Sequence, residues 1–263
     1  MRAVAKQVEE YADGDDPVVI CGEHGTGREL IARVLHHKGP RTGARFIAVR
    51  ATFEDAPTTR GEPKSDDACE RARRALRAAT GGTLLVKDVS DLSAPSQRTL
   101  KRAIRDRHQS QTEATDVQVV ATADLDLERA VDAEIVSRGF YELFQPRRIV
   151  VPPLRDRLDD LPALFERWIK HYAAEIGRTK PTISTRAIVR LAEYPWPGNV
   201  GELKSIARRL VVRVKTKIEA GDVDEILPTV AARVPLEDLA FEDMVKSKLA
   251  GLLARIDGYP VHD

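Results

Sequence analysis

The residues most open to a chemical reading are Gly22, Glu23, His24, Gly25, Thr26, Gly27, Arg28 and Glu29, which lie between a short apolar run, Pro17–Cys21, and the helical Leu30-Ile-Ala-Arg-Val-Leu35. Strand, glycine-rich turn and helix in that order let backbone N–H groups and the positive end of a helix receive a phosphate together. Such a loop ordinarily carries a lysine, and here the position holds Arg28. A lysine is a slender point charge that reaches between terminal phosphates, whereas a guanidinium is planar, broader and forked. Two readings are open: Arg28 contacts phosphate with altered alignment, or it pairs with a nearby carboxylate on a loop that no longer serves nucleotide.

The elements that must position this loop are legible as alternation. Apolar runs recur at Pro17–Cys21, Arg45–Val49, Thr83–Val86, Val117–Thr122 and Arg148–Val151, separated by segments of helical period. That order predicts an α/β domain with a parallel five-stranded sheet flanked by helices, its strands buried on both faces; the runs around Ile47 and Val119 read this way. After Pro152-Pro153 only helices are expected. Asp160 caps the first, with its stripe of Leu161, Leu164, Phe165, Trp168, Ile169 and Tyr172. Ser184 caps the second, and a third starts near Asn199 after Tyr194-Pro-Trp-Pro-Gly. The expected division is residues 1–154 as the nucleotide-binding domain, 155–232 as a helical lid and 233–263 as an amphipathic segment. A chain of 263 residues, 42% hydrophobic, 32% charged and of net charge +1, fits a soluble, cytoplasmic protein. It has no membrane-spanning run, and its two cysteines, Cys21 and Cys69, lack metal or disulfide spacing.

Several segments in sequence order, Gly22–Leu35, Gly81-Gly-Thr-Leu-Leu-Val86, Val117–Thr122, Pro152-Pro-Leu-Arg-Asp-Arg157 and Trp196-Pro-Gly-Asn-Val200 with Glu202-Leu203, resemble the central domain of sigma-54-dependent enhancer-binding proteins. The resemblance covers nearly the whole chain. It implies an AAA+ P-loop fold with a small all-helical lid, ATP bound between them, and ring assembly in which neighbours complete each site. It also implies where the chain departs. The family's second acidic motif ends in Asp, which holds magnesium, and Glu, which orients the attacking water; these positions are Lys87 and Asp88. The polar sensor position corresponds to Ala123, or to Asp124. In the segment that reaches a neighbouring subunit, Glu142 replaces one arginine, and Arg138 is the candidate for the other. The lid arginine is Gly201. The implied protein is a degenerate member: a pseudo-ATPase that takes ATP or ADP or works without nucleotide, with no magnesium site of its own.

The sigma-54 contact loop, Gly-Ala-Phe-Thr-Gly-Ala in the family, is absent from the interval Ala51–Thr80, so contact with the sigma-54 polymerase is not expected of this chain alone. A helix over Asp66–Ala79, with Arg71, Arg73, Arg74 and Arg77, reads as a solvated face, and the basic group Arg98, Lys101, Arg102, Arg105 and Arg107 as a face toward solvent or a neighbouring subunit. The stripe Phe241, Met244, Val245, Leu249, Leu252, Leu253 and Ile256 reads as a dimer seam or as packing on the lid. It leads toward DNA-binding helices that this sequence does not contain, so the chain is either naturally short or a piece of a longer one. Three functions compete: a regulatory module assembling with itself or with related AAA+ subunits, an active ATPase using Arg28, Asp88 and Arg138 in displaced geometry, and a purely structural interaction domain.

Overall fold

Five apolar runs pair as parallel strands: β1 (Val18–Cys21), β2 (Phe46–Arg50), β3 (Thr83–Lys87), β4 (Gln118–Ala123) and β5 (Arg148–Val150), in the order β2-β3-β4-β1-β5. The structure, a computed structural model, describes residues 1–54, 67–106 and 116–227. The turn-rich stretch after Glu54, Arg107 and the stripe from Phe241 lie outside them. β1 and β4 are buried along their whole length, as central strands covered on both faces must be. Ile47, expected to be buried on both sides, is only half-buried on the edge strand β2, whereas Val49 of the same strand is fully buried.

The pleat distributes the core. Val18 and Ile20 face Val4, Val8 and Leu35 of α1 (Arg2–Ala12) and α2 (Arg28–Lys38); Val19 and Cys21 face the side covered by α3 (Ala68–Ala78) and α4 (Ala94–Asp106), with Ala72 and Leu100. Asp67 caps α3 by accepting from the Cys69 N–H at 3.1 Å. The arginines of α3 do not form one solvated face. Arg74 is buried and Arg71 Nε donates to the Thr52 carbonyl at 3.0 Å, leaving Arg73 and Arg77 to pair with Glu70 at 3.6 and 2.8 Å. Two short helices, α5 (Leu127–Asp132) and α6 (Arg138–Tyr141), precede β5.

A polar network crosses the N-terminal edge of the sheet. Arg41, just beyond α2, donates to Asp15 at 2.7 Å, to the Gly82 carbonyl at 3.3 Å and to the Asp116 carboxylate. Beside it His36 Nδ1 lies 2.9 Å from Thr83 Oγ1, Thr83 donates to Gln118 Oε1 at 3.2 Å, and Gln118 Nε2 donates to the Gly14 carbonyl at 3.1 Å. These links satisfy polar groups that would otherwise be costly to bury.

Contacts divide the chain after Pro153. The second unit holds α7 (Leu161–Glu175), α8 (Thr185–Ala192), α9 (Asn199–Arg213) and α10 (Ala220–Ile226), with a two-residue parallel pair, β6 (Thr182–Ile183) and β7 (Lys217–Ile218). Leu161, Phe165 and Ile169 are fully buried along α7, with Trp168 and Tyr172 half-buried beside them. Ser184 caps α8 by accepting from the Ala187 N–H at 3.2 Å, but Asp160 makes no such side-chain bond at the start of α7, whose second residue is Pro162. The bend from α8 to α9 explains its own sequence. Trp196 Nε1 donates to the Leu191 carbonyl at 2.8 Å; Glu202 accepts from Tyr194 Oη at 2.7 Å and from the Gly198 N–H at 2.9 Å; Asn199 Oδ1 accepts the Leu154 N–H at 2.7 Å. Trp196 and Asn199 both have positive φ, 53° and 51°, so the packing and these bonds hold them in a conformation that L residues rarely adopt.

Asn199→Ala strands a buried N–H and keeps an unfavourable φ, so it should destabilise the second unit by about 2–4 kcal/mol. Denaturation monitored by tryptophan fluorescence checks this, because both tryptophans, Trp168 and Trp196, lie in that unit. Burial holds the His36 imidazole below its ordinary value, with His37 and Arg41 adding to the effect. The unfolded chain then binds the extra proton first, so stability should fall as pH drops below about 6.5, with a slope of up to about 1.4 kcal/mol per pH unit from this group. In His36→Gln the denaturant midpoint should vary less over that range.

Candidate functional site

The register of the sheet determines what meets the glycine loop. Cys21, the last residue of β1, stands opposite Ala123 of β4 and Val150 of β5, and Val86 of β3 stands opposite Ala121. The chain leaving β1 at Gly22 is therefore flanked by Asp124, which leaves β4, on one side and by Val151, which leaves β5, on the other, with Asp88, leaving β3, one strand beyond Asp124.

Gly22 is pressed against the end of β5: a Cβ there would sit 2.9 Å from the Val151 carbonyl oxygen and 3.0 Å from Thr26 Oγ1, so only glycine lets the loop close. Thr26 is buried and ties the turn by donating from Oγ1 to the Glu23 carbonyl at 2.8 Å, while His24 is exposed at the tip beside Gly25. Gly27 takes φ 101°, which turns the chain into α2 without a side-chain cap on the first N–H groups of that helix. Uncapped N–H groups at a helix start, preceded by a glycine-only turn, fit a phosphate.

The side chain expected to accompany that phosphate is held elsewhere. Arg28, the first residue of α2, donates from Nη2 to Asp88 Oδ1 and from Nη1 to Asp124 Oδ1, both at 2.9 Å. Its side chain is 9% exposed, while the two carboxylates are 50% and 73% exposed. Charge-assisted bonds contribute about 1.5–3 kcal/mol each, reduced here because water screens the carboxylates. Asp88 lies just past β3 with φ 58°, its N–H donating to Thr122 Oγ1 at 3.0 Å, which aims its carboxylate at α2. Glu29 accepts from Arg33 one turn on, at 2.8 Å. Lys87, which closes β3 opposite Arg50, has its Nζ 3.8 Å from Glu29. From sequence two roles are open to Lys87: contact with phosphate at the place of a metal ion, or pairing with Glu23 or Asp88. Asp88 is taken by Arg28, and Glu29, one residue along α2, is what the lysine meets.

These residues do not fit magnesium. Asp88, Asp124 and Glu29 each already face a cation, and among the described residues no group of three or more His, Cys, Asp or Glu could hold a metal. Two unit charges at 4 Å repel by roughly 4 kcal/mol at an effective dielectric of 20, and a divalent ion beside Lys87 would double that.

Ala123 is buried at the end of β4 and offers no polar group; the polar residue there is Asp124, whose pairing with Arg28 the sequence does not foretell. The signal is available in Ala121-Thr-Ala-Asp124, once β4 is placed beside β1. Arg138 and Glu142 are exposed and pair with each other across α6 at 3.7 Å. Gly201 is exposed on α9, in the second unit, where its carbonyl accepts from Ser205 at 3.2 Å.

Residues 1–149 match the family model described as the sigma-54 interaction domain, and residues 155–233 match an AAA+ ATPase lid domain. Response regulator protein PilR of Pseudomonas aeruginosa is 33% identical over 220 residues, covering 80% of this chain and 49% of the relative. Transcriptional regulatory protein ZraR of Klebsiella oxytoca is 28% identical over 270 residues, covering 98% and 61%. The chain thus spans about half the length of these curated relatives. Among solved structures, NtrX from Brucella abortus in complex with ATP is similar with a TM-score of 0.73 at 22% identity, over 95% of this chain and 60% of that one, a likeness of fold. With a sheet ordered β2-β3-β4-β1-β5, a glycine loop leading into α2 and a family model matched over more than half its residues, the chain belongs to the sigma-54 interaction domain family of AAA+ proteins.

Proposed function

We propose that this chain is a regulatory AAA+ module of transcription control that keeps the nucleotide-receiving loop and has lost efficient ATP hydrolysis. The observation that carries the reading is the Arg28 guanidinium bound to both Asp88 and Asp124. A site that turns over ATP needs its loop cation on the phosphates and its carboxylate on a water. Here the two neutralise each other, and Lys87 stands where the family resemblance places a magnesium ligand. Gly22, Gly25, Thr26 and Gly27 would receive the phosphates of ATP or ADP through backbone N–H groups, and NtrX, a relative in fold, was crystallised with ATP. Nucleotide would supply charge and contacts that order the loop. Arg28 must exchange carboxylate oxygens for phosphate oxygens to take part.

Such a module acts by assembly, with further copies of itself or with related AAA+ subunits that carry the chemistry. Contact with the sigma-54 polymerase falls to those partners, because the Gly-Ala-Phe-Thr-Gly-Ala loop is missing from this sequence.

At saturating ATP and magnesium, phosphate release should run at least about a hundredfold below that of a family member with Lys, Asp and Glu at the positions of Arg28, Lys87 and Asp88. A rate within about tenfold of that member would overturn the reading in favour of an ATPase with displaced residues. Asp124→Asn removes one carboxylate from Arg28 and should raise ADP affinity about three- to tenfold by calorimetry while lowering the melting temperature. Unchanged affinity would show that the ion pairs do not compete with nucleotide.

A further inference from the structure

Around the glycine loop Asp88, Asp124 and Glu29 each hold an arginine by a hydrogen bond. Asp88 and Asp124 are hydrogen-bonded to Arg28 at 2.9 Å, and Glu29 is hydrogen-bonded to Arg33 at 2.8 Å. Lys87 is different. Its Nζ lies 3.8 Å from Glu29, beyond the 2.7–3.2 Å of a hydrogen bond, and its side chain is 30% exposed. The ammonium is attracted by Glu29 without being committed to it. It is carried on a four-carbon stem from the end of β3 to the first turn of α2, the turn whose N–H groups have no side-chain cap.

We infer that Lys87 serves as a built-in cation for a nucleoside di- or triphosphate, so that this site binds nucleotide in its metal-free form. The inference rests on the proposed retention of nucleotide by the loop and gives that site its ligand class. An incoming polyphosphate carries more negative charge than Glu29 and presents oxygens to both the helix start and the ammonium. Lys87 then does electrostatically what a divalent ion does in a magnesium-dependent site, while its charge repels the ion itself. Arg28 remains beside Asp88 and Asp124, so the phosphates meet one mobile cation and one held cation. A metal-nucleotide complex, with less negative charge to offer and a cation of its own to place, is the poorer ligand.

Titration calorimetry of the purified chain with ADP and with ATP, each in excess EDTA and in excess magnesium, tests this. The expected result is binding in EDTA at least as tight as in magnesium. Lys87→Met should weaken the EDTA affinity about tenfold, Lys87→Arg should retain most of it, and Lys87→Asp should bind only when magnesium is present. Loss of wild-type binding in EDTA, an unchanged EDTA affinity in Lys87→Met, or no binding in either buffer would each overturn the inference. Absence of all binding would sink the proposed retention of nucleotide together with the inference, whereas binding in magnesium alone would sink the inference and leave that retention standing. Magnesium-dependent turnover would sink the hydrolysis-deficient reading without deciding how the metal-free ligand binds, so the two failures are told apart.

Discussion

The guanidinium of Arg28 reaches Asp88 and Asp124 at 2.9 Å each, and those carboxylates leave the ends of β3 and β4. Two ion pairs therefore join the start of α2 to two strands at the C-terminal edge of the sheet, beside the loop that leaves β1. An arginine can do this because its fork presents two N–H groups at a fixed angle; a lysine, a single point charge, would have to choose between the carboxylates or leave both for a phosphate. The state of the site depends on that one side chain. Because the side chain is buried while its partners are half or more exposed, water weakens the arrangement without dissolving it.

Charge complementarity also orders the neighbouring residues. With Asp88 turned toward α2 by its left-handed backbone and its bond to Thr122, Lys87 just before it lies 3.8 Å from Glu29. Arg28, Lys87 and Asp124 thus form a mutually consistent set in which each charge has an opposite nearby.

Much of the fold was legible because parallel strands buried on both faces write continuous apolar runs, and five such runs separated by helical periods leave few topologies. The bend Tyr194–Asn199 was legible as a break, but its purpose was not: Trp196 and Asn199 keep their left-handed backbones through bonds to Leu191 and Leu154, contacts set by the packed helices. Ile47 misled because burial at an edge strand depends on how far the flanking helices reach over it, which sequence does not state. The loop itself was plain from its glycines. The destination of its arginine was not, since Arg28 and Asp124 are far apart in sequence and meet only through the β1–β4 register. The partner of Lys87 was hidden for the same reason.

Helix α2 is anchored at its two extremities by arginines of opposite address. Arg28 grips Asp88 and Asp124, just beyond β3 and β4, and Arg41, just past the last turn, grips Asp15, Gly82 and Asp116, which precede β1, β3 and β4. A rod bolted at both ends to the same plate can neither slide along its axis nor swivel without shearing one set of bolts. Any change at the glycine loop must then spread sideways, through exchange of partners at the strand tips, while the helix behaves as a strut that keeps the two rims of the sheet at constant separation.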